Sequence, residues 1–173
     1  MKKSKLMGFA LAAVVFFTGS IAQAQTNIVE GAVASDAHTT LVAAVKAADL
    51  VETLSGEGPF TVFAPTNAAF DKLPEGTVAN LLKPENKKTL QTVLTYHVIA
   101  GKFNAKDVIA LIKKNNGYAT VKTVAGAELT LYLKDSKVMV KDGNGNSATV
   151  TAADLDQTNG VIHVVDSVLL PKM

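Results

Sequence analysis

The chain contains no cysteine and no arginine among its 173 residues. Without cysteine, neither a disulfide framework nor a diacylglycerol-anchored lipoprotein can form. Without arginine, the chain lacks the forked donors that proteins commonly use to read bases and phosphates. The fold must therefore rest on its apolar core, and nucleic acid is not the expected partner.

The apolar run near the start of the chain is too short to cross a bilayer. It extends from Leu6 to Phe17, about a dozen residues, whereas a membrane-spanning helix needs about 20. Three lysines precede it, and small and polar residues follow it up to Ala24. This order is typical of a secretory signal peptide. We therefore predict a signal peptide over 1–24, cleavage after Ala24, and a bacterial protein that is secreted or periplasmic.

The mature chain is predicted to be almost neutral and to form one domain. The signal peptide carries three of the seventeen lysines and none of the fifteen acids, which leaves fourteen lysines and a net charge of −1. A nucleic-acid binder normally carries a basic surface, so this balance also disfavours that class. The length from Gln25 to Met173 suits a single core, and we predict one domain over 25–173, acting as a monomer.

Sequence patterns of the common catalytic and metal sites are absent. There is no thiol nucleophile, no G-x-S-x-G elbow and no H-E-x-x-H pair. The three histidines, His38, His97 and His163, are too scattered for their spacing to indicate a metal centre. We therefore predict no enzyme activity, no metal and no cofactor.

The segment from Asp142 superficially resembles a calcium loop, with oxygen-bearing side chains at alternate positions. Its sixth position is Ser147 where a calcium loop needs glycine, and its twelfth is Ala153 where the loop needs a bidentate glutamate. We therefore interpret it as a glycine-rich hairpin turn.

The first half of the mature chain is predicted to be helix-rich. Apolar residues at helical spacing between Asp36 and Leu54 predict one helix or two short ones. A β-favouring run from Phe60 to Ala64 predicts a strand, which Pro65 ends because it cannot donate to a ladder. A further helix is predicted from Ala68 with Asn67 as cap, and another from Thr77 to Leu82 with Thr77 as cap. Pro84 predicts the first turn of a longer helix. The last helix is predicted from Ala105 to Lys114 with Asn104 as cap.

The second half changes to the period-two alternation of strands. Strands are predicted at Thr120–Val121, Glu128–Leu133, Val138–Val140 and Ala148–Val150, and in a closing run from Val161 to Leu170. The closing run is almost wholly apolar, which predicts a strand covered on both faces. Helices followed by an antiparallel meander predict an α+β domain.

Three segments together resemble the fasciclin-type (FAS1, βig-h3) domain. They are Gly58 to Phe70, Thr95 to Val98 and Asn159 to Asp166, and in this order they look like the first conserved box, the Tyr-His box and the second conserved box of that family. The resemblance covers nearly all of Ile28 to Pro171. It implies a compact FAS1-like β-wedge with antiparallel-rich sheets, flanked by several helices.

Tyr96 and His97 are the first candidate partner-binding residues. An exposed phenol beside an imidazole offers both stacking area and hydrogen bonds to a partner. In animal relatives, the resemblance associates the Tyr-His box with receptor binding at the cell surface. The alternative is that His97 satisfies backbone groups inside the fold while Tyr96 packs against a helix.

Asp154 and Leu155 are the second candidate pair. They lie where animal relatives carry an Asp-Ile recognition pair, although leucine replaces isoleucine here. The alternative is a surface turn in which Asp154 caps a helix and Leu155 points inward.

His163 is predicted to be a core histidine and not a ligand. It shares a strand face with Val161 and Val165, so its neighbours are apolar. Asp166 lies on the opposite face and therefore cannot orient His163 as part of a His-Asp dyad.

The sequence thus predicts a secreted, non-enzymatic adhesion module that binds a cell-surface protein or an extracellular polysaccharide. One alternative is a small-molecule, metal or haem carrier with the imidazoles and Tyr96 as ligands. A second is an unfamiliar hydrolase, which needs a serine or threonine hydroxyl near a histidine.

Overall fold

The structure is a computed structural model that describes residues 26–172. The predicted signal peptide over 1–24 lies outside the described residues. None of the helices within the described range is long and apolar enough to cross a bilayer.

The first half of the described chain is mostly helical. The helices are α1 (Ile28–Val33), α2 (Thr39–Ala47), α3 (Val51–Ser55), α4 (Asn67–Asp71), α5 (Thr77–Leu81), α6 (Lys87–Tyr96) and α7 (Ala105–Lys114), with 3-10 turns at Asp36–His38 and Pro84–Asn86. The predicted region over 36–54 thus forms two short helices that follow a 3-10 turn.

Seven strands form one mixed sheet. They are β1 (Phe60–Pro65), β2 (Val98–Ala100), β3 (Tyr118–Lys122), β4 (Glu128–Lys134), β5 (Lys137–Lys141), β6 (Ser147–Gln157) and β7 (Gly160–Val165). The order across the sheet is β2-β1-β7-β6-β5-β4-β3. Only β1 and β7 pair in parallel; the other pairs are antiparallel. A bridge between Ile99 and Thr123 brings the two sheet edges together and almost closes a barrel.

Two apolar clusters form the core on opposite faces of β1 and β7. Val62 and Ile162 face the cluster formed with α1 to α6. Phe63 and Val165 face the cluster enclosed by α7 and the meander β3 to β6. Because alternate side chains enter both clusters, β7 is buried along its whole length, as the apolar closing run predicts. The α+β wedge with a helical front and a strand-rich back is confirmed.

Two predicted helix caps are wrong by one residue. The N-cap of α4 is Thr66, whose side chain accepts from the Ala69 backbone, and not Asn67. The Asn67 side chain instead accepts from the Thr40 backbone, because tertiary packing brings α2 beside it. Similarly, the N-cap of α5 is Gly76 in a left-handed conformation, and Thr77 is the first helical residue.

Two strands differ most from their predicted bounds. Strand β6 runs to Gln157, well past the predicted end at Val150, because β7 gives its second part a pairing partner. Strand β7 ends at Val165, five residues before the predicted end at Leu170. Helix α1 is not in the predicted set, although Asn27 and Glu30 form a capping box at its start.

Candidate functional site

Tyr96 is the last residue of α6 and is completely buried. Its hydroxyl donates to the Glu128 carbonyl at 3.0 Å and accepts from the Gly143 backbone N–H at 2.9 Å. Burial raises the pKa of the phenol, the Gly143 hydrogen bond lowers it, and the nearby Asp142 carboxylate raises it further. This burial agrees with the alternative interpretation, in which Tyr96 packs inside the fold, and the hydroxyl joins α6 to β4 and to the β5–β6 hairpin.

His97 follows Tyr96 and is 2% exposed. Its Nδ1 lies 2.7 Å from the Val93 carbonyl, and its Nε2 lies 2.9 Å from the Leu169 backbone nitrogen. A backbone N–H can only donate, so Nε2 accepts and Nδ1 carries the proton of a neutral ring. Burial lowers the pKa of His97 to about 4, against opposing effects of the Val93 carbonyl and Asp142. This histidine is neutral at physiological pH and has no nitrogen free for a ligand.

Asp142 is a buried carboxylate close to Tyr96 and His97. It is 5% exposed, and its Oδ1 accepts from the Asn146 backbone at 2.8 Å while its Oδ2 accepts from the Leu170 backbone at 3.1 Å. Tyr96, His97 and Asp142, which we call the polar brace, join α6, the β5–β6 hairpin and the C-terminal segment. The Asp142 oxygens are thus used inside a hairpin turn, as the sequence predicts.

His163 is also a satisfied core histidine, as the sequence predicts. It is 2% exposed, its Nε2 lies 2.7 Å from the Phe103 carbonyl, and its Nδ1 accepts from the Asp154 backbone at 3.3 Å. Asp166 accepts from the Thr149 backbone at 2.8 Å and makes no dyad with it.

His38 lies apart from the other two histidines, in the 3-10 turn before α2. Its Nδ1 lies 2.8 Å from the Ser35 hydroxyl, and the ring is buried. Burial lowers its pKa from the ordinary value, and the Ala64 backbone opposes that shift. Ser35 is the hydroxyl that this histidine contacts, but within the described residues no carboxylate orients the imidazole as in a hydrolase triad.

Asp154 and Leu155 lie at a bulge in β6, where the register with β7 shifts between Ala152 and Leu155. Asp154 has a left-handed backbone with φ of 58°, and its Oδ1 accepts from the Ala105 backbone at 2.7 Å. It therefore caps α7, as the alternative interpretation predicts. Leu155 is 42% exposed, so the expectation that it points inward is wrong. It lies in the second part of β6, beyond its pairing with β5, where all residues from Thr151 to Asp156 are exposed.

The described residues contain no cluster of three or more histidine, cysteine or carboxylate side chains that could hold a metal ion. An apolar cavity under α1 has a volume of about 30 Å³. That volume suits one or two water molecules, whereas small-molecule sites occupy about 300–1,000 Å³. The arrangement thus offers no preformed space for haem or a comparable ligand in that core.

The sequence patterns did not single out the outer face of the meander. Register places Tyr118 opposite Tyr132, and Tyr132 opposite Met139. Tyr118 is 63% exposed, the most exposed of the large apolar side chains in the described range. In β3, apolar and polar residues alternate, and Tyr118 falls on the same side of the strand as Thr120 and Lys122. A large aromatic residue on the polar side of a strand is the sequence pattern that indicates this face.

A model of the Fasciclin domain family matches residues 36–171 of the chain. The chain is also 54% identical over 157 residues to Protein sll1483 of Synechocystis sp., covering 88% of this chain and 80% of that protein. It is 38% identical over 123 residues to the Cell surface glycolipoprotein MPB83 of Mycobacterium bovis, covering 71% of this chain and 48% of that protein.

Among solved structures, the chain is similar to a FAS1 domain pair from the insect cell adhesion molecule Fasciclin I. The TM-score is 0.59 at 27% identity, and the match covers 73% of this chain and 42% of that chain. The match is consistent with the α+β wedge described above.

Proposed function

The chain belongs to the Fasciclin domain family, and on that premise we propose that it is a non-enzymatic interaction module that adheres to a protein or polysaccharide partner. Support comes from the family match and from the names of two similar proteins, one a cell surface glycolipoprotein and one a cell adhesion molecule. The signal-like first 24 residues motivate a periplasmic or extracellular location.

The observation that carries the proposal is the contrast between the satisfied polar core and the bulge of β6. His97, His163 and Tyr96 use their polar atoms on backbone groups inside the fold, which leaves them unable to serve as bases or ligands. Leu155, by contrast, is a large apolar side chain on the surface, and Asp154 beside it is tied to α7.

We assign partner contact to Asp154 and Leu155, and an indirect supporting role to Tyr96 and His97. An apolar side chain on a rigid bulge loses little conformational freedom on binding, which favours affinity. The buried pair would act by holding α6 against the sheet. A double alanine variant of Tyr96 and His97 would therefore damage the fold before it tested any contact.

The test uses the full secreted protein, fluorescently labelled, and intact cells and isolated envelope of the producing bacterium. We expect saturable binding, a loss of about tenfold in affinity for Leu155→Ser, and no change for Val33→Ser. Val33 is a matched control because it is an exposed aliphatic residue, 56% exposed, on α1.

Two results would count against the proposal. Equal binding by wild type and Leu155→Ser would overturn the site, and the absence of saturable binding to cells or envelope would overturn the function. A carrier is the second candidate, and bound metal or a visible absorption band in protein from its native source would favour it.

A further inference from the structure

The meander β3 to β5 is covered on only one of its faces. On the inner face, Leu131 and Val140 pack with Val108 and Ile112 of α7. The outward side chains of β3, β4 and β5, which we call the open face, have no helix or strand above them in the described structure. Tyr118, Tyr132 and Met139 lie in one row across its centre.

The two tyrosines of the open face form a fixed aromatic platform. Their ring centroids are 6.0 Å apart with an interplanar angle of 39°. The Tyr132 hydroxyl donates to the Ser147 hydroxyl at 3.0 Å, which restricts the rotation of that ring. A cross-strand aromatic pair stabilises a sheet by itself, but that role does not need Tyr118 to keep 63% of its surface in solvent.

Positive charge surrounds this platform. Lys134 and Lys137 face each other at the hairpin end, while Lys122 and Lys141 lie toward the other end. Two acids lie near these four lysines, Glu128 opposite Lys122 and Asp135 in the turn between Lys134 and Lys137, so the face carries a local excess of two positive charges. None of the four lysines lies within 4.0 Å of an acidic group in the described part of the chain. These charges are therefore available on a protein whose mature chain is slightly acidic.

We propose that the open face binds an acidic polysaccharide, with sugar rings on the two tyrosines and sugar carboxylates paired with the surrounding lysines. Tyrosine presents an apolar ring with a polar tip, which suits the amphipathic face of a sugar. Lysine is a point charge on a flexible stem, which suits carboxylates distributed along a polymer.

A single-stranded nucleic acid also combines stacking with negative charge, but the composition of the chain favours the sugar. The chain has no arginine, and its mature form has a net charge of −1, whereas a nucleic-acid-binding domain is normally basic. The inference goes beyond the proposed adhesion: it adds a second binding surface, separate from Asp154 and Leu155, and gives the chemical class of what binds there.

The experiment measures binding of the full secreted protein to polygalacturonate, with its methyl-esterified form as the neutral control. We expect saturable binding to the acid form that weakens as salt is added, and much weaker binding to the ester. Tyr118→Ser and the double variant Lys137→Gln, Lys141→Gln should each weaken binding by about tenfold. Val33→Ser should bind as wild type, and thermal unfolding should show that all variants are folded.

Several outcomes would overturn the inference. They are equal binding by wild type and both open-face variants, equal binding to the acid and the ester, and tighter binding to oligo(dT) than to polygalacturonate. The adhesion proposal has a different point of failure. Saturable cell binding without polygalacturonate binding would remove only the open face, whereas polygalacturonate binding without saturable cell binding would remove only the adhesion proposal.

Discussion

Strands β7 and β3 differ in how much of each the protein covers. All six residues of β7 are buried, since one core cluster lies on each of its faces. Strand β3 alternates exposed and buried residues, because α7 covers only its inner face. The three segments that resemble the fasciclin-type domain lie in or beside this doubly covered region. Most of their residues are buried, so their side chains must fit the core. The region that marks the family is thus the region least able to touch a partner.

The largest expected effect comes from adding one methyl group to the covered region. A Cβ at Gly160 would collide with the backbone carbonyl oxygen of Phe60 across the β1–β7 pair. That oxygen belongs to a buried strand and cannot move alone, so Gly160→Ala should cost at least about 4 kcal/mol of unfolding free energy in urea titration.

Gly145→Ala is the matched control in the β5–β6 hairpin. It has a positive φ of 91°, but a Cβ at this position would meet no heavy atom within 4 Å, so only backbone strain opposes the change. We expect a cost of about 1–2 kcal/mol. A loss in Gly160→Ala no greater than in Gly145→Ala would show that the covered pair is not tightly packed.

The second effect is a pH dependence that belongs to the covered region. His97 has a pKa of about 4 in the folded protein against an ordinary value of 6.5. Between these two values the unfolded chain binds more protons, so the stability that neutral His97 provides above pH 6.5 is lost as the pH falls toward 4. From pH 7 to pH 5 the loss attributable to His97 should be about 2 kcal/mol.

The measurement is urea unfolding at both pH values for wild type and His97→Gln. The variant lacks the titrating ring, so it should lose about 2 kcal/mol less than wild type over this interval, while His38 contributes equally to both. Parallel pH profiles for the two proteins would contradict the buried neutral histidine.

The smallest effect compares two tyrosines that differ in burial. Tyr96→Phe removes the partner of the Gly143 N–H and of the Glu128 carbonyl inside the core, so we expect a loss of about 1.5 kcal/mol. Tyr132→Phe removes one hydrogen bond to Ser147 near solvent and should change stability by less than about 0.5 kcal/mol. Urea titration of both variants measures the two losses of unfolding free energy. Equal losses would mean that the buried and the exposed tyrosine contribute equally to stability, against their difference in exposure.

Elements fixed by local chemistry were predictable from sequence. The bounds of α7 are those predicted, since apolar residues recur at helical spacing and Asn115 to Gly117 end the helix. Strand β1 likewise ends at Pro65, as its missing N–H requires. The ends of both elements are thus set by residues within or next to them.

The candidate site was harder to predict because its contacts are distant in sequence. The Tyr96 hydroxyl meets Glu128 and Gly143, which are 32 and 47 residues away. His97 meets Leu169 across 72 residues. No local pattern carries these contacts, so a Tyr-His pair at the end of a helix suits a buried brace and an exposed recognition site equally well. The exposure of Leu155 has the same origin, since it depends on where β5 stops pairing.

The parallel pairing of β1 with β7 also has a consequence for how the chain matures. Residues 60–65 find their parallel partner in residues 160–165, and the polar brace then needs Leu169 and Leu170. During synthesis, the central sheet thus cannot be completed until residues 160–165 have left the ribosome. Long-range closure of this kind is slow. The architecture thus ties completion of the central sheet to residues 160–165, so the helical first half of the described chain cannot acquire its final packing alone.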